Sequence, residues 1–292
     1  MNTFYQKSLT QKLFTLSLCL VLIICIVAPF TFLRPTNLGE NNMNNGVDTT
    51  TGDNNSNKRQ SVKLKPKPPE KPLHQVQLPD FANIKDVKAK KMAFFNFIEP
   101  AINKHADKIL AKRQRVESYL TAVSLETPLT DEELNDIEIL SVEYKVNKAL
   151  SLLTKLNQLY NKIDIIPTPL ILVQAANESA WGTSRFARIG LNYFGIWCYR
   201  KGCGMVPNGR TGNERHEVAA FQSVDKAVAS YFKNINTHNA YMIFRTIRAE
   251  LRAQNQPLLP EVLATGLIPY SERGVDYVID INTMLRQNQA YF

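Results

Sequence analysis

Leu170-Ile-Leu-Val-Gln-Ala-Ala-Asn-Glu178-Ser-Ala-Trp181-Gly182 is the stretch on which the fold turns. From Leu170 to Ala176 only Gln174 is polar. A helix that is apolar almost all round belongs at the centre of a domain. Thr168 ahead of it suits an N-cap, and Pro169 suits the first helical position. Glu178 then falls near the C-terminal end of a buried helix. Burial disfavours the charged carboxylate, and the negative end of the helix dipole disfavours it further, so both raise its pKa. A carboxyl still protonated near neutrality is what a general acid needs to protonate a glycosidic oxygen. The structural alternative is a bond to a nearby backbone N–H or a pair with Arg185 or Arg188. Trp181, Tyr193, Phe194 and Trp197 follow closely, and their rings suit stacking on sugar faces.

Helical periodicity extends on both sides. Ile84, Val87, Met92, Phe95 and Ile98 recur at helical spacing, and Pro100 is expected to break or restart the helix. Ile102, Ile109, Leu110, Val116 and Leu120 continue the rhythm. Thr130-Asp-Glu-Glu133 is a capping box opening a helix through Ile137 and Leu140. Another helix is expected from about Lys145 to Tyr160. Beyond Gly182, the spacing predicts a short helix over 183–188, then a Gly- and aromatic-rich stretch over 193–222 that reads as a β-hairpin lobe. Ser223 caps a helix through Val228 and Ile235, and further helices cover 241–254, 260–265 and 275–287. The fold class is mostly α (α+β): a helical bundle around the buried helix, spanning 79–292.

Leu13 to Leu33 carries no charge and is long enough for a transmembrane helix. No small-x-small cleavage site follows it, so an uncleaved signal anchor is expected rather than a cleaved signal. Lys7 and Lys12 put residues 1–12 on the cytoplasmic side and the rest outside. Residues 34–78 are rich in Asn and Gly, then in Lys and Pro, and read as a disordered linker. Net charge is +9, which suits an anionic partner or simply solvated lysines. No zinc-finger spacing or RNP-like aromatic motif is present, so nucleic acid is not expected as a partner. Of the four cysteines, Cys19 and Cys25 lie in the apolar run. Cys198 and Cys203 bracket Tyr-Arg-Lys-Gly and read as a local disulfide in an oxidising compartment, with free thiols as the alternative. Zinc, with His216 as a third ligand, lacks a fourth, and no metal or cofactor is expected.

The run Gln174 to Gly182, followed by Ser184, Ala187 and Asn192-Tyr-Phe-Gly195, resembles the glucosaminidase domain of bacterial autolysins, glycoside hydrolase family 73. That family carries Gln-Ala-x-x-Glu-Ser-x-Trp-Gly and then Asn-x-Phe-Gly. The resemblance covers roughly 80–290. It implies a lysozyme-like fold, hydrolysis of the β-1,4 bond after N-acetylglucosamine in peptidoglycan, and Glu178 as the acid. With the anchor, it implies a single-pass protein of the inner membrane whose catalytic domain faces the periplasm. The family ends with Tyr-Ala-Thr-Asp-Pro-x-Tyr, where this chain has Tyr270-Ser-Glu-Arg-Gly-Val-Asp-Tyr277. Tyr270 matches in place, Tyr277 falls one residue late, and the Thr-Asp-Pro portion is replaced. The residues implied to meet substrate are Trp181, Asn192, Phe194, Trp197, Tyr270 and Tyr277. The second carboxylate is expected at Glu217, or else Glu214. If it holds a nucleophilic water, the two carboxyls should lie roughly 6.5–9.5 Å apart and the reaction inverts. Otherwise the substrate's own N-acetyl group assists. Lytic transglycosylases share the Glu-Ser pair, but the Gly-Leu-Met-Gln stretch usual in them is missing. A non-catalytic wall-binding protein is the remaining class.

Overall fold

The computed structural model describes residues 70–207 and 216–292. The anchor at 13–33, most of the linker, and Glu214 lie outside them. Among the described residues no helix is long and apolar enough to cross a membrane.

The described residues form nine α-helices and a small sheet. α1 is Val87–Ser124, α2 Asp131–Glu143, α3 Leu152–Lys162, α4 Thr168–Ser179 and α5 Arg185–Gly190. The strands β1 (Trp197–Cys198), β2 (Gly204–Met205) and β3 (Glu217–Ala219) follow, then α6 (Val224–Thr237), α7 (Met242–Ala253), α8 (Pro260–Ala264) and α9 (Val275–Asn288). This is a mostly helical architecture with a small antiparallel sheet, in keeping with an α-rich, lysozyme-like expectation.

α4 is the buried centre. Leu170, Ile171, Leu172, Val173, Ala175 and Ala176 are all inside, as the apolar pattern demands. Each large aliphatic side chain buried this way contributes about 1.5–3 kcal/mol. α4 packs on α1 and α9. Its N-terminus sits one residue from the expected place: Thr168 is already helical, and no side chain caps the start.

Pro100 does not break α1, which runs unbroken through it. Pro100 and Asn96 lie on the exposed face, so the carbonyl that loses its partner meets water. Phe94, Ile98 and Ile102 on the opposite face hold the helix in the core. α3 begins later than the periodicity suggested, because the Ser151 side chain accepts from Thr154 N and caps it there. The capping box at Thr130 forms as read, with Glu133 reaching back to Thr130 N at 2.8 Å. β2 and β3 pair as the expected hairpin, and β1 adds to the other edge of β3. The sheet order is β1-β3-β2, with the last strand in the middle and antiparallel to both neighbours.

The approach to α4 is locked by a buried ionic cluster. Asp164 is buried beside Arg113, Arg248 and Arg252, and Arg252 grips its carboxylate at 3.0 and 3.1 Å. Arg248, itself 1% exposed, donates to the carbonyls of Asn161, Asp164 and Ile165 and to Asn236 Oδ1. Burial lowers its pKa to about 10, so it stays charged at neutral pH. α3, α6 and α7 are thereby tied to the loop that launches α4.

Residues 70–78, the last of the stretch read from composition as linker, are held against α5. Leu73 N donates to Ile189 O, His74 Nε2 lies 3.0 Å from Arg188 O, and Glu70 pairs with Arg185 through both carboxylate oxygens. These are backbone and single-side-chain contacts, which composition does not register.

Candidate active site

Glu178 is the penultimate residue of α4, and the chain turns immediately after it. Ala180 and Trp181 both have positive φ, 50° and 56°, and Gly182 continues at 77°. Trp181 N donates back to Ala176 O, closing a Schellman-type end. Two non-glycine residues in the left-handed region are held there by their surroundings, and such strain gathers at functional sites. Gly182 has no latitude at all: a Cβ there would lie 2.5 Å from Phe81 Cδ2. Ser179 ties the turn, donating to Ala175 O and accepting from Gly182 N. The Glu-Ser-x-Trp-Gly pattern is therefore a helix terminator that leaves the acid at an abrupt end.

The surroundings of Glu178 come from four elements. Asn177 Nδ2 donates to its carboxyl, and the Tyr277 hydroxyl on α9 is turned towards it and favours its charged form. Tyr277 in turn accepts from Gln174 Nε2 at 2.9 Å, and Gln174 Oε1 accepts from Tyr231 of α6 at 2.5 Å. Gln174 is fully buried, one helical turn before Glu178 on the same face. Because its amide is used at both ends, the chain runs from Tyr231 to Gln174 to Tyr277, and it leaves the Tyr277 hydroxyl proton free for Glu178. Gly195 completes the ring with φ +64, where an added Cβ would stand 3.3 Å from Glu178 Oε2. Desolvation raises the pKa of Glu178, and the Tyr277 hydroxyl and the Asn177 bond partly oppose the rise. Arg185 and Arg188 are elsewhere: Arg185 holds Glu70, and Arg188 Nε donates to Thr183 O. No salt bridge to Glu178 forms among the described residues, so the ion-pair alternative has no support.

The other candidates divide. Tyr270 stacks on Tyr277 with centroids 5.4 Å apart, and its hydroxyl donates to Phe194 O. Both tyrosines thus belong to the Glu178 cluster. Tyr277 is buried, and its task there is to contact the acid. Phe194, 1% exposed, stacks on Tyr231 and offers no free face to a sugar. Asn192 is likewise buried: Oδ1 accepts from Phe194 N and Ile196 N, while Nδ2 donates to Ile196 O and Ala219 O. It shapes the turn that carries Gly195 to Glu178. Trp181 packs on Phe94 and Phe95 with Lys91 over its ring. Trp197, 47% exposed on β1 and edge-on to His216, keeps a face open to a ligand.

Cys198 and Cys203 form a disulfide. Inside the loop they close, Glu217 Oε1 accepts from Gly202 N and Oε2 from Gly204 N. Glu217 is 5% exposed and sits opposite Cys198 across β1 and β3. The two sulfurs and this carboxylate lie within 4.8 Å of one another. The sulfurs are bonded to each other and the carboxylate holds two amides, so the donor set is not that of an open zinc site. Sequence reasoning missed Gln174, Tyr231 and Gly195. A lone amide in an apolar helix, one turn from the acid, is the signal that points to the first.

Residues 153–289 match the Glucosaminidase family model, described as mannosyl-glycoprotein endo-beta-N-acetylglucosaminidase. The chain is also 31% identical over 213 residues to Protein bax of Escherichia coli (strain K12), covering 73% of this chain and 74% of that protein. No solved structure matches.

Proposed function

The chain belongs to the bacterial Bax group of glucosaminidase-domain proteins, enzymes of the glycoside hydrolase type, and from that we propose that it cuts the β-1,4 bond after N-acetylglucosamine in peptidoglycan, with Glu178 as proton donor. The observation that carries the reading is the environment of Glu178. Its carboxyl is desolvated, unpaired by any cation among the described residues, and oriented by Tyr277 at a helix end. Protonated there, it gives its proton to the glycosidic oxygen as the bond to the anomeric carbon breaks. Trp197 offers an aromatic face for a sugar ring.

Glu217 is assigned to the lobe, because both of its oxygens hold backbone amides. The second half of the reaction then falls to Glu214 as base or to the substrate's N-acetyl group. The first product's anomeric configuration separates these: inversion for a base-activated water, retention for N-acetyl participation. The apolar run at 13–33 and the disulfide also support a domain held outside the cytoplasm by a membrane anchor. A reporter fused after Phe292 that is active only in the cytoplasm would refute that placement.

The decisive experiment digests purified peptidoglycan with the wild type and with Glu178→Gln. The expected products carry N-acetylglucosamine at the reducing end, and the variant releases none. Anhydro-muramyl ends would make the enzyme a lytic transglycosylase. Undiminished clearing by Glu178→Gln would remove Glu178 from the chemistry.

A further inference from the structure

Away from Glu178, α1 and α6 enclose a groove of about 260 Å3. His105, Lys108, Ile109 and Lys112 recur at spacings of three and four, so they share one face of α1. Phe232 and Lys233 face them from α6, and the Glu143–Tyr144 end of α2 closes the groove. The floor is apolar, made by Ile109, Phe232 and the Tyr144 ring, and all three are buried. The rim is cationic on both walls.

The charges are unevenly matched. Lys112 is paired with Glu143 at 2.5 Å, and His105 faces Asp225, which Lys104 also holds. Lys108 and Lys233 have no anionic partner among the described residues, and both are exposed. Two uncompensated ammonium groups around one concavity attract an anion. The volume exceeds what an inorganic oxyanion fills, and the remainder is apolar-walled. A carboxylate on a small apolar body fits two ammonium groups beside an apolar floor.

We propose that this groove binds the C-terminal carboxylate of a short peptide of small residues. The inference deepens the function proposed above and rests on it. A peptidoglycan strand bears short peptides with free carboxylates, and the groove gives the enzyme a second hold on the polymer.

The test titrates the full-length protein in detergent with tri-alanine, with its C-terminal amide, and with inorganic phosphate, by calorimetry or ligand-observed NMR. The free acid is expected to bind about tenfold more tightly than the amide, and Lys108→Ala/Lys233→Ala to erase the difference. Circular dichroism checks that the double variant is folded. Equal binding of acid and amide, or undiminished binding by the folded double variant, overturns the proposal. Phosphate competing as well as the peptide also overturns it, leaving a simple oxyanion site. The two readings fail separately. Hydrolysis of peptide-free N-acetylglucosamine oligomers should be unchanged in the double variant, whereas Glu178→Gln should lose hydrolysis and keep peptide binding.

Discussion

Replacing Tyr277 with Phe removes one oxygen and keeps the ring. That oxygen accepts from Gln174 and faces Glu178, whose charged form it favours. Gln174 is fully buried, so its stranded N–H has no water to turn to. An unsatisfied buried polar group costs about 1–3 kcal/mol. For a domain of this size each kcal/mol moves Tm by roughly 2–4 °C, so Tm should fall by about 2–12 °C. Gln174→Leu alone strands the hydroxyls of Tyr231 and Tyr277 instead. The double variant Gln174→Leu/Tyr277→Phe removes both partners of the bond, so its loss should be smaller than the sum of the single losses. The chemistry shifts as well. The Tyr277 hydroxyl favours the carboxylate of Glu178, so without it the pKa of Glu178 rises further. A general acid works while protonated, so the alkaline limb of the pH–rate profile should move to higher pH, with a lower maximum from the looser orientation. Thermal unfolding by circular dichroism and turnover against pH read both effects. An unchanged Tm with an unmoved alkaline limb, or a limb moved to lower pH, would refute the directional chain.

Other consequences follow from the same geometry. The folded-state pKa of Glu178 is raised, so its contribution to stability is fully present below its unfolded pKa and is lost as pH rises through the folded value. Glu178→Gln should therefore match the wild type in Tm at acid pH and exceed it at neutral pH; a deficit at neutral pH would contradict the burial. Glu217→Gln turns one acceptor towards a backbone N–H as a donor, so either Gly202 N or Gly204 N loses its bond. Hydrogen exchange should accelerate over 198–205 while the alkaline limb set by Glu178 stays put, and a shift of that limb would instead make Glu217 part of the acid–base pair. Reducing Cys198–Cys203 releases a short loop worth about 2 kcal/mol in the chain-entropy account, so Tm should drop modestly on adding a dithiol. Gly182→Ala combines positive φ with a clash on Phe81 and should destabilise by several kcal/mol or fail to fold, as judged by soluble yield and unfolding.

The centre of the fold was legible because helical periodicity and capping are local. Leu170 to Ala176 could be nothing but a buried helix, and Thr130-Asp-Glu-Glu133 formed its capping box as written. What the sequence hid was long-range. Pro100 is a breaker by local chemistry, yet its carbonyl partner faces solvent and the opposite face is anchored in the core. The sheet order was hidden because strands of two and three residues carry too little alternation to reveal their partners. At the site, the family resemblance pointed to Glu178 and the two tyrosines, which the fold brings together. It did not tell a ring that faces a ligand from one that fills the core. Trp197 and Phe194 look alike in sequence, and only packing separates them. Glu217 was a plausible second carboxylate until its two amide partners were seen.

The β1-β3-β2 order has a consequence for the life of the chain before it is folded. Synthesis runs from the N-terminus, so both edge strands emerge before the strand that joins them. Cys198 and Cys203, five residues apart, need nothing downstream to meet. Oxidation can thus precede pairing, and an early intermediate would carry a bridged loop with unsatisfied strand edges on either side. Glu217–Ala219 closes both edges at once and brings the carboxylate that caps the loop amides. Until those three residues pair, the lobe keeps two open strand edges and two uncapped amides.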